Sequence, residues 1–125
     1  MVSILPGALH DVESIAARGD TFRTIYGGRA DYFHVNSPWE LVKKNAPSIR
    51  GRTFVRVAVG DKDGLLERNR SYHELLGQIE IDHEFHGIEG VTHAGAALYD
   101  GLGEGNWRFL TKAFARAVQT PESKR

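Results

Sequence analysis

The run Thr53-Phe54-Val55-Arg56-Val57-Ala58-Val59, closed by Gly60, constrains this chain more than any other feature. It is rich in β-branched residues, and only Arg56 interrupts its apolar character. An apolar run without strict alternation describes a strand buried on both faces, as in a parallel sheet covered by helices. Such a strand needs strand neighbours and crossover helices, and 125 residues are enough for one domain to supply them. A hydrophobic fraction of 41% against 26% charged residues lies far from the composition of a disordered chain, so a packed core is expected.

The flanking sequence provides candidates for both kinds of element. Met1 to Leu5 is a short apolar run stopped by Pro6 and Gly7, which suits a buried strand entering a turn. Asp11 can cap a helix running to about Arg18, with Gly19 as its left-handed C-terminal residue. Between Asp20 and Asn36, the aromatics Phe22, Tyr26, Tyr32 and Phe33 punctuate a polar stretch containing Gly27 and Gly28, which predicts a packed irregular segment. Ser37-Pro38-Trp39-Glu40 is a capping box with proline at the first helical position, and it predicts a helix to about Asn45, ahead of Pro47.

Tyr72, Leu75, Leu76 and Ile79 recur at helical spacing and place an amphipathic helix over Leu66 to Gln78. Ile81 to Ile88 alternates, with Asp82, Glu84 and His86 opposite Ile81, His83 and Phe85, as an edge strand does. Trp107, Leu110 and Phe114 form an apolar stripe on a last helix that Asn106 can cap, and residues 120–125 read as a charged tail. The fold class is therefore α/β, with about three parallel strands joined by right-handed crossover helices, in a single domain over residues 1–119.

Composition removes several function classes. Sixteen basic and sixteen acidic residues cancel, so no overall field draws the chain to nucleic acid or to anionic lipid. Without cysteine there is no disulfide framework, thiolate nucleophile or cysteine zinc site. The apolar N-terminus lacks a basic region and is too short for a signal or spanning helix, so the chain as given reads as cytoplasmic, with no membrane partner.

Chemistry is expected at the strand ends, because all strands of a parallel sheet end on one edge and ligands bind along it. The second strand ends in Gly60-Asp61-Lys62-Asp63-Gly64, and the third is followed by Gly90-Val91-Thr92-His93-Ala94-Gly95. An acid and a histidine thus meet across adjacent strand ends, a layout in which a carboxylate holds one imidazole nitrogen while the other works as a general base. Taken alone, Asp in a Gly-Asp-x-Asp-Gly turn serves the turn, and Asp61 rivals Asp63 for the pairing.

The residues Asn36-Ser37-Pro38-Trp39, Val57-Ala58-Val59-Gly60-Asp61-Lys62-Asp63, Gly90-Val91-Thr92-His93 and Ala97-Leu98-Tyr99-Asp100-Gly101-Leu102-Gly103 carry a resemblance. The stretch from about Tyr32 to Phe114 resembles the esterase family of the α/β-hydrolase fold that includes esterase D and feruloyl esterases, in its C-terminal half. The resemblance implies a partial α/β-hydrolase fold and a serine carboxyl-ester hydrolase, needing no cofactor, that acts on small-molecule esters. In that family the triad runs serine, acid, histidine, with the acid three residues beyond a strand-ending glycine and the histidine in the loop after the last strand. The matching positions are Asp63 and His93.

The serine has no counterpart. No Gly-x-Ser-x-Gly pentapeptide occurs among the 125 residues, and Ser3, Ser14, Ser37, Ser48, Ser71 and Ser123 all lack the elbow context. The loop that supplies part of the oxyanion hole, a donor worth about 3 kcal/mol, has no match either. The isolated chain is therefore expected to show little or no esterase activity. The competing expectation is a non-catalytic interaction module that self-associates through the unpaired edge of its first strand.

Other motifs read as structure. His83, Glu84, His86 and His93 do not have the helical spacing of a zincin site, and neighbouring strand positions face opposite ways, so no metal is expected. Gly101-x-Gly103-x-Gly105 follows no nucleotide-binding strand and reads as a helix-to-helix turn. Trp39 suits either a substrate pocket or the core.

Overall fold

Three short parallel strands carry the molecule. A computed structural model describes residues 1–119, with side chains to residue 116, so the expected charged tail at 120–125 lies outside the described residues. Strands β1 (Val2–Ile4), β2 (Val55–Gly60) and β3 (His83–Ile88) form one sheet in the order β1-β2-β3. Both pairings are parallel, with Val2 opposite Val55 and Val55 opposite His83. Helices α1 (Val12–Ala16), α2 (Gly19–Tyr26), α3 (Ala30–Asn36) and α4 (Pro38–Ile49) lie between β1 and β2, and α5 (Leu66–Gln78) between β2 and β3. Helices α6 (Gly95–Leu102) and α7 (Glu104–Gln119) follow the sheet.

Every residue of β2 is buried, as its apolar run predicts. Alternate positions serve different layers. Val55 and Val57 face Val42 and Ala46 of α4 and Tyr72, Leu75 and Leu76 of α5, while Ala58 faces Leu98 and Leu102 of α6.

Arg56, on the same face as Ala58, is 2% exposed. Its guanidinium lies over the Phe109 ring at 4.4 Å and donates to Ser3 Oγ and Asn106 Oδ1. Nη1 has no hydrogen-bond partner among the described residues, and burial lowers the Arg56 pKa from its ordinary value. Cation–π contact and neutral acceptors thus take the place of a carboxylate.

Several expectations are corrected. The segment from Asp20 to Asn36 is not irregular but forms α2 and α3, because Gly27 closes α2 in the left-handed conformation (φ 63°) and the rings of Phe22, Tyr26 and Phe33 pack in series. Gly19 does not end α1 but begins α2, and α1 itself stops at Ala16.

Helix α4 starts at the expected cap, with Ser37 Oγ accepting from Glu40 N at 3.2 Å, but continues through Pro47 to Ile49. Ala46 and Ile49 both pack into the core, so tertiary burial carries the helix past the proline. Strand β1 is shorter than expected and exposed, with Val2 46% accessible, because β2 flanks it on one side only. Strand β3 is the expected edge strand but begins at His83, two residues after Ile81.

The apolar stripe on α7 is also different. Trp107 and Phe114 are 64% and 62% exposed, and Phe109 and Ala113 are the buried residues. Phe109 stacks on Phe54, and Asn106 serves Arg56 instead of capping a helix that already starts at Glu104. Gly101 lies in α6 against β3, where a Cβ would sit 2.2 Å from Ile88 Cγ2, and Gly103 (φ 46°) ends α6. The glycine-rich stretch is thus a helix-to-helix turn. Among the described residues no helix is long and apolar enough to cross a membrane.

Candidate functional site

The loops leaving β2 and β3 are tied together at the C-terminal edge of the sheet. Asp61 N donates to Ile88 O, Lys62 N donates to Val91 O at 3.0 Å, and Asp61 Oδ1 accepts from Gly90 N at 2.7 Å. Gly60 is required at this crossing, since a Cβ there would lie 2.0 Å from Val91 O. Gly90 adopts φ 73° and turns the chain after β3. These contacts fix the position of the segment that carries His93 relative to the one that carries Asp63.

His93 Nδ1 lies 3.0 Å from Asp63 Oδ2. The two partners differ sharply in environment, with the Asp63 side chain 1% accessible and the His93 side chain 66% accessible. Asp63 Oδ1 accepts from Leu65 N at 2.8 Å, so both carboxylate oxygens are engaged. A carboxylate can only accept when ionised, so Nδ1 carries the proton facing it and neutral His93 presents Nε2 as an acceptor. No partner engages Nε2 among the described residues. A buried acid that fixes one nitrogen and leaves the other open is an arrangement suited to a general base.

The open question between the two acids has a geometric answer. Asp63 meets the histidine, while Asp61 binds the backbone of the opposing loop.

An open cleft of about 610 Å³ adjoins this pair. His10, Ser14, Arg18 and Arg68 line it together with Asp63 and His93. His10 follows Leu9, a buried residue at φ 30°, whose strained backbone is held by Trp39 Nε1 donating to Leu9 O at 3.1 Å. Trp39 also meets Tyr72 edge-on at 5.1 Å and packs with the core, so it is not part of the lining beside His93.

Arg68 Nη1 contacts His10 Nδ1, and Ser14 Oγ lies 3.1 Å from the same nitrogen. A guanidinium can only donate, so Nδ1 of His10 is the acceptor and its proton sits on Nε2. Burial, then Arg68 and Arg18, lower the His10 pKa from its ordinary value.

The sequence alone did not single out His10, Arg18 and Arg68. They belong to three separate segments, and only the position of His10 just beyond the first strand signalled the sheet edge.

Among the described residues no serine sits on an elbow. Ser37 caps α4, Ser3 accepts from Arg56, and Ser14 is on the short helix α1. The remaining histidines are dispersed. His83 Nε2 lies 2.7 Å from His73 Nδ1, whereas His86 pairs with Glu84 at 3.3 Å on the other face. Among the described residues no group of three or more His, Cys, Asp or Glu side chains could hold a metal ion.

The fold and this edge define a small parallel α/β protein with an acid–histidine pair at the strand ends. No protein-family model, curated protein or solved structure matches the chain.

Proposed function

We propose that this chain supplies the acid and base of a serine carboxyl-ester hydrolase, with the nucleophile contributed by polypeptide outside these 125 residues. The observation that carries the reading is the 3.0 Å contact between buried Asp63 and accessible His93. In the reaction, His93 Nε2 takes the proton of the serine as its oxygen attacks the ester carbonyl. The same nitrogen then returns the proton to the departing alcohol. Asp63 holds the ring and balances the imidazolium charge that forms, and a water activated by His93 completes hydrolysis. A small-molecule ester is the substrate class, and Asp63 and His93 provide the proton transfers while the serine supplies the attack, with no cofactor required.

The test is complementation. The coding sequence upstream of Met1 is translated, and the polypeptide it encodes is joined to this chain and assayed with p-nitrophenyl acetate. The expected result is an upstream Gly-x-Ser-x-Gly elbow and a hydrolysis rate that falls by about 10⁴-fold in Asp63→Asn or His93→Ala. An upstream sequence without an elbow, or hydrolysis indifferent to both substitutions, would overturn the reading.

A second reading has its own observation. Among the described residues the outer side of β1 is unpaired, with Val2 46% exposed, which favours an interaction module that pairs with another copy.

A further inference from the structure

The whole chain is electrically neutral, yet the cleft beside His93 is not. Arg18 and Arg68 both line it, against one carboxylate, Asp63, whose two oxygens are already taken by His93 and Leu65 N. Neither arginine forms an ion pair with a carboxylate among the described residues, whereas Arg23, Lys43 and Arg70 each find a partner within their own helix. The nearby Asp11 caps α1 by accepting from Ser14 N at 2.7 Å, and its carboxylate also feels the charge of Arg68 without pairing with it.

Arg68 spends one contact on His10 Nδ1, leaving the rest of its five donors for another acceptor. Arg18 is exposed and lines the same cleft. Burial, then the charges of Arg68 and Arg18, disfavour the charged form of His10, against a smaller opposing influence from Asp11. A field that repels an imidazolium attracts an anion.

We infer that the cleft receives an ester whose acyl or alcohol portion carries an oxyanion, a carboxylate or a phosphate, held by Arg18 and Arg68 while the ester group faces His93. The planar fork of arginine matches both oxyanions, and two such forks line this one cleft. This inference rests on the hydrolase reading for the role of His93, but the anion site is tested by binding and needs no serine.

The experiment titrates the complete 125-residue chain with three probes, followed by nuclear magnetic resonance of the arginine and histidine side chains. Monomethyl succinate carries a carboxylate, methyl phosphate carries a phosphate, and dimethyl succinate is the neutral control. At least one anion is expected to bind at least about tenfold more tightly than the neutral diester, and whichever binds more tightly identifies the oxyanion. Arg18→Gln and Arg68→Gln are each expected to weaken that binding by about tenfold.

Arg18 is exposed, so its variant tests the site even if the half-buried Arg68 variant folds poorly. The inference is overturned if the neutral diester binds as well as the anions, or if both variants bind like the parent chain. Arginine-dependent binding that leaves the His93 resonances unmoved would also overturn it, by placing the anion away from the base. Failure of the hydrolase reading appears separately, in the complementation assay and not in this titration.

Discussion

Asp61 and Asp63 stand two residues apart in one turn, and their side chains do different work. Asp63 is buried and holds both the His93 ring and Leu65 N, whereas Asp61 makes an exposed bond to Gly90 N. Removing a buried acceptor leaves its donor unsatisfied, a penalty that water relieves at an exposed site. Asp63→Ala is therefore expected to cost about 1–3 kcal/mol and Asp61→Ala about 1 kcal/mol or less, measured as shifts in urea unfolding. Equal losses would show that the two carboxylates are equivalent. The presence of an acid and a histidine at this edge was legible in the sequence, because strand-ending glycines mark where parallel strands leave the sheet. Which acid meets the ring was not, since it depends on how the loop after Gly90 crosses the one after Gly60. The joint lining of the cleft by Arg18 and Arg68 is not legible in the sequence for the same reason, as side chains drawn from distant segments leave no local pattern.

Among the elements, legibility followed the strength of the local chemistry. The capping box at Ser37 and the buried run of β2 declare themselves, whereas α2 and α3 are short and rest on aromatic contacts and on a left-handed Gly27 that also resembles a loop signal. Helix α7 shows how an apolar pattern can mislead. Its rings lie on more than one face, and the stacking of Phe109 on Phe54 and beneath Arg56 selects the buried one. Phe109→Ala is expected to cost about 3–5 kcal/mol, and Trp107→Ala within about 0.5 kcal/mol of nothing, in the same unfolding assay. The reverse order would restore the stripe read from sequence.

A second element-scale expectation concerns the junction of α5 with β3. His83 Nδ1 lies 2.6 Å from Ile81 O, which requires a proton on that nitrogen, so His73 Nδ1–H donates to His83 Nε2. The His73 ring also stacks on Phe85. Burial, then the neighbouring His83, lower the His73 pKa, against a smaller opposing influence from Glu74. The unfolded chain therefore binds the proton more readily. The associated stability is complete above the unfolded value of about 6.5 and is lost as pH falls through the lower folded value. His10 is shifted in the same direction and adds to the loss. Chemical denaturation at pH 7 and pH 5 should show falling stability, with a smaller fall in His73→Gln; an unchanged fall would remove His73 from the account.

For the molecule as a whole, the decisive feature is that its sheet has three strands among the described residues, one of them three residues long. Strand β1 is held by β2 alone, and its other edge offers backbone donors and acceptors together with the exposed side chain of Val2. An unprotected edge is a template for a further strand, and here no charged side chain within Val2-Ser3-Ile4 discourages pairing. The zero net charge removes the long-range repulsion that would otherwise keep copies apart. Both functional readings place something against this edge. In the hydrolase it is the strand preceding β1 in the completed sheet, and in the interaction module it is a second copy. The chain on its own is therefore expected to self-associate, with a sedimentation coefficient that rises with concentration. Val2→Lys places a charge on the edge without entering the core and should shift the equilibrium toward monomer. Parent chain that remains monomeric at all concentrations, or association unaffected by Val2→Lys, would show that β1 is not the joining surface. If joining the upstream polypeptide also abolishes association, the same edge is being filled from within one chain, which is the outcome that the hydrolase reading requires.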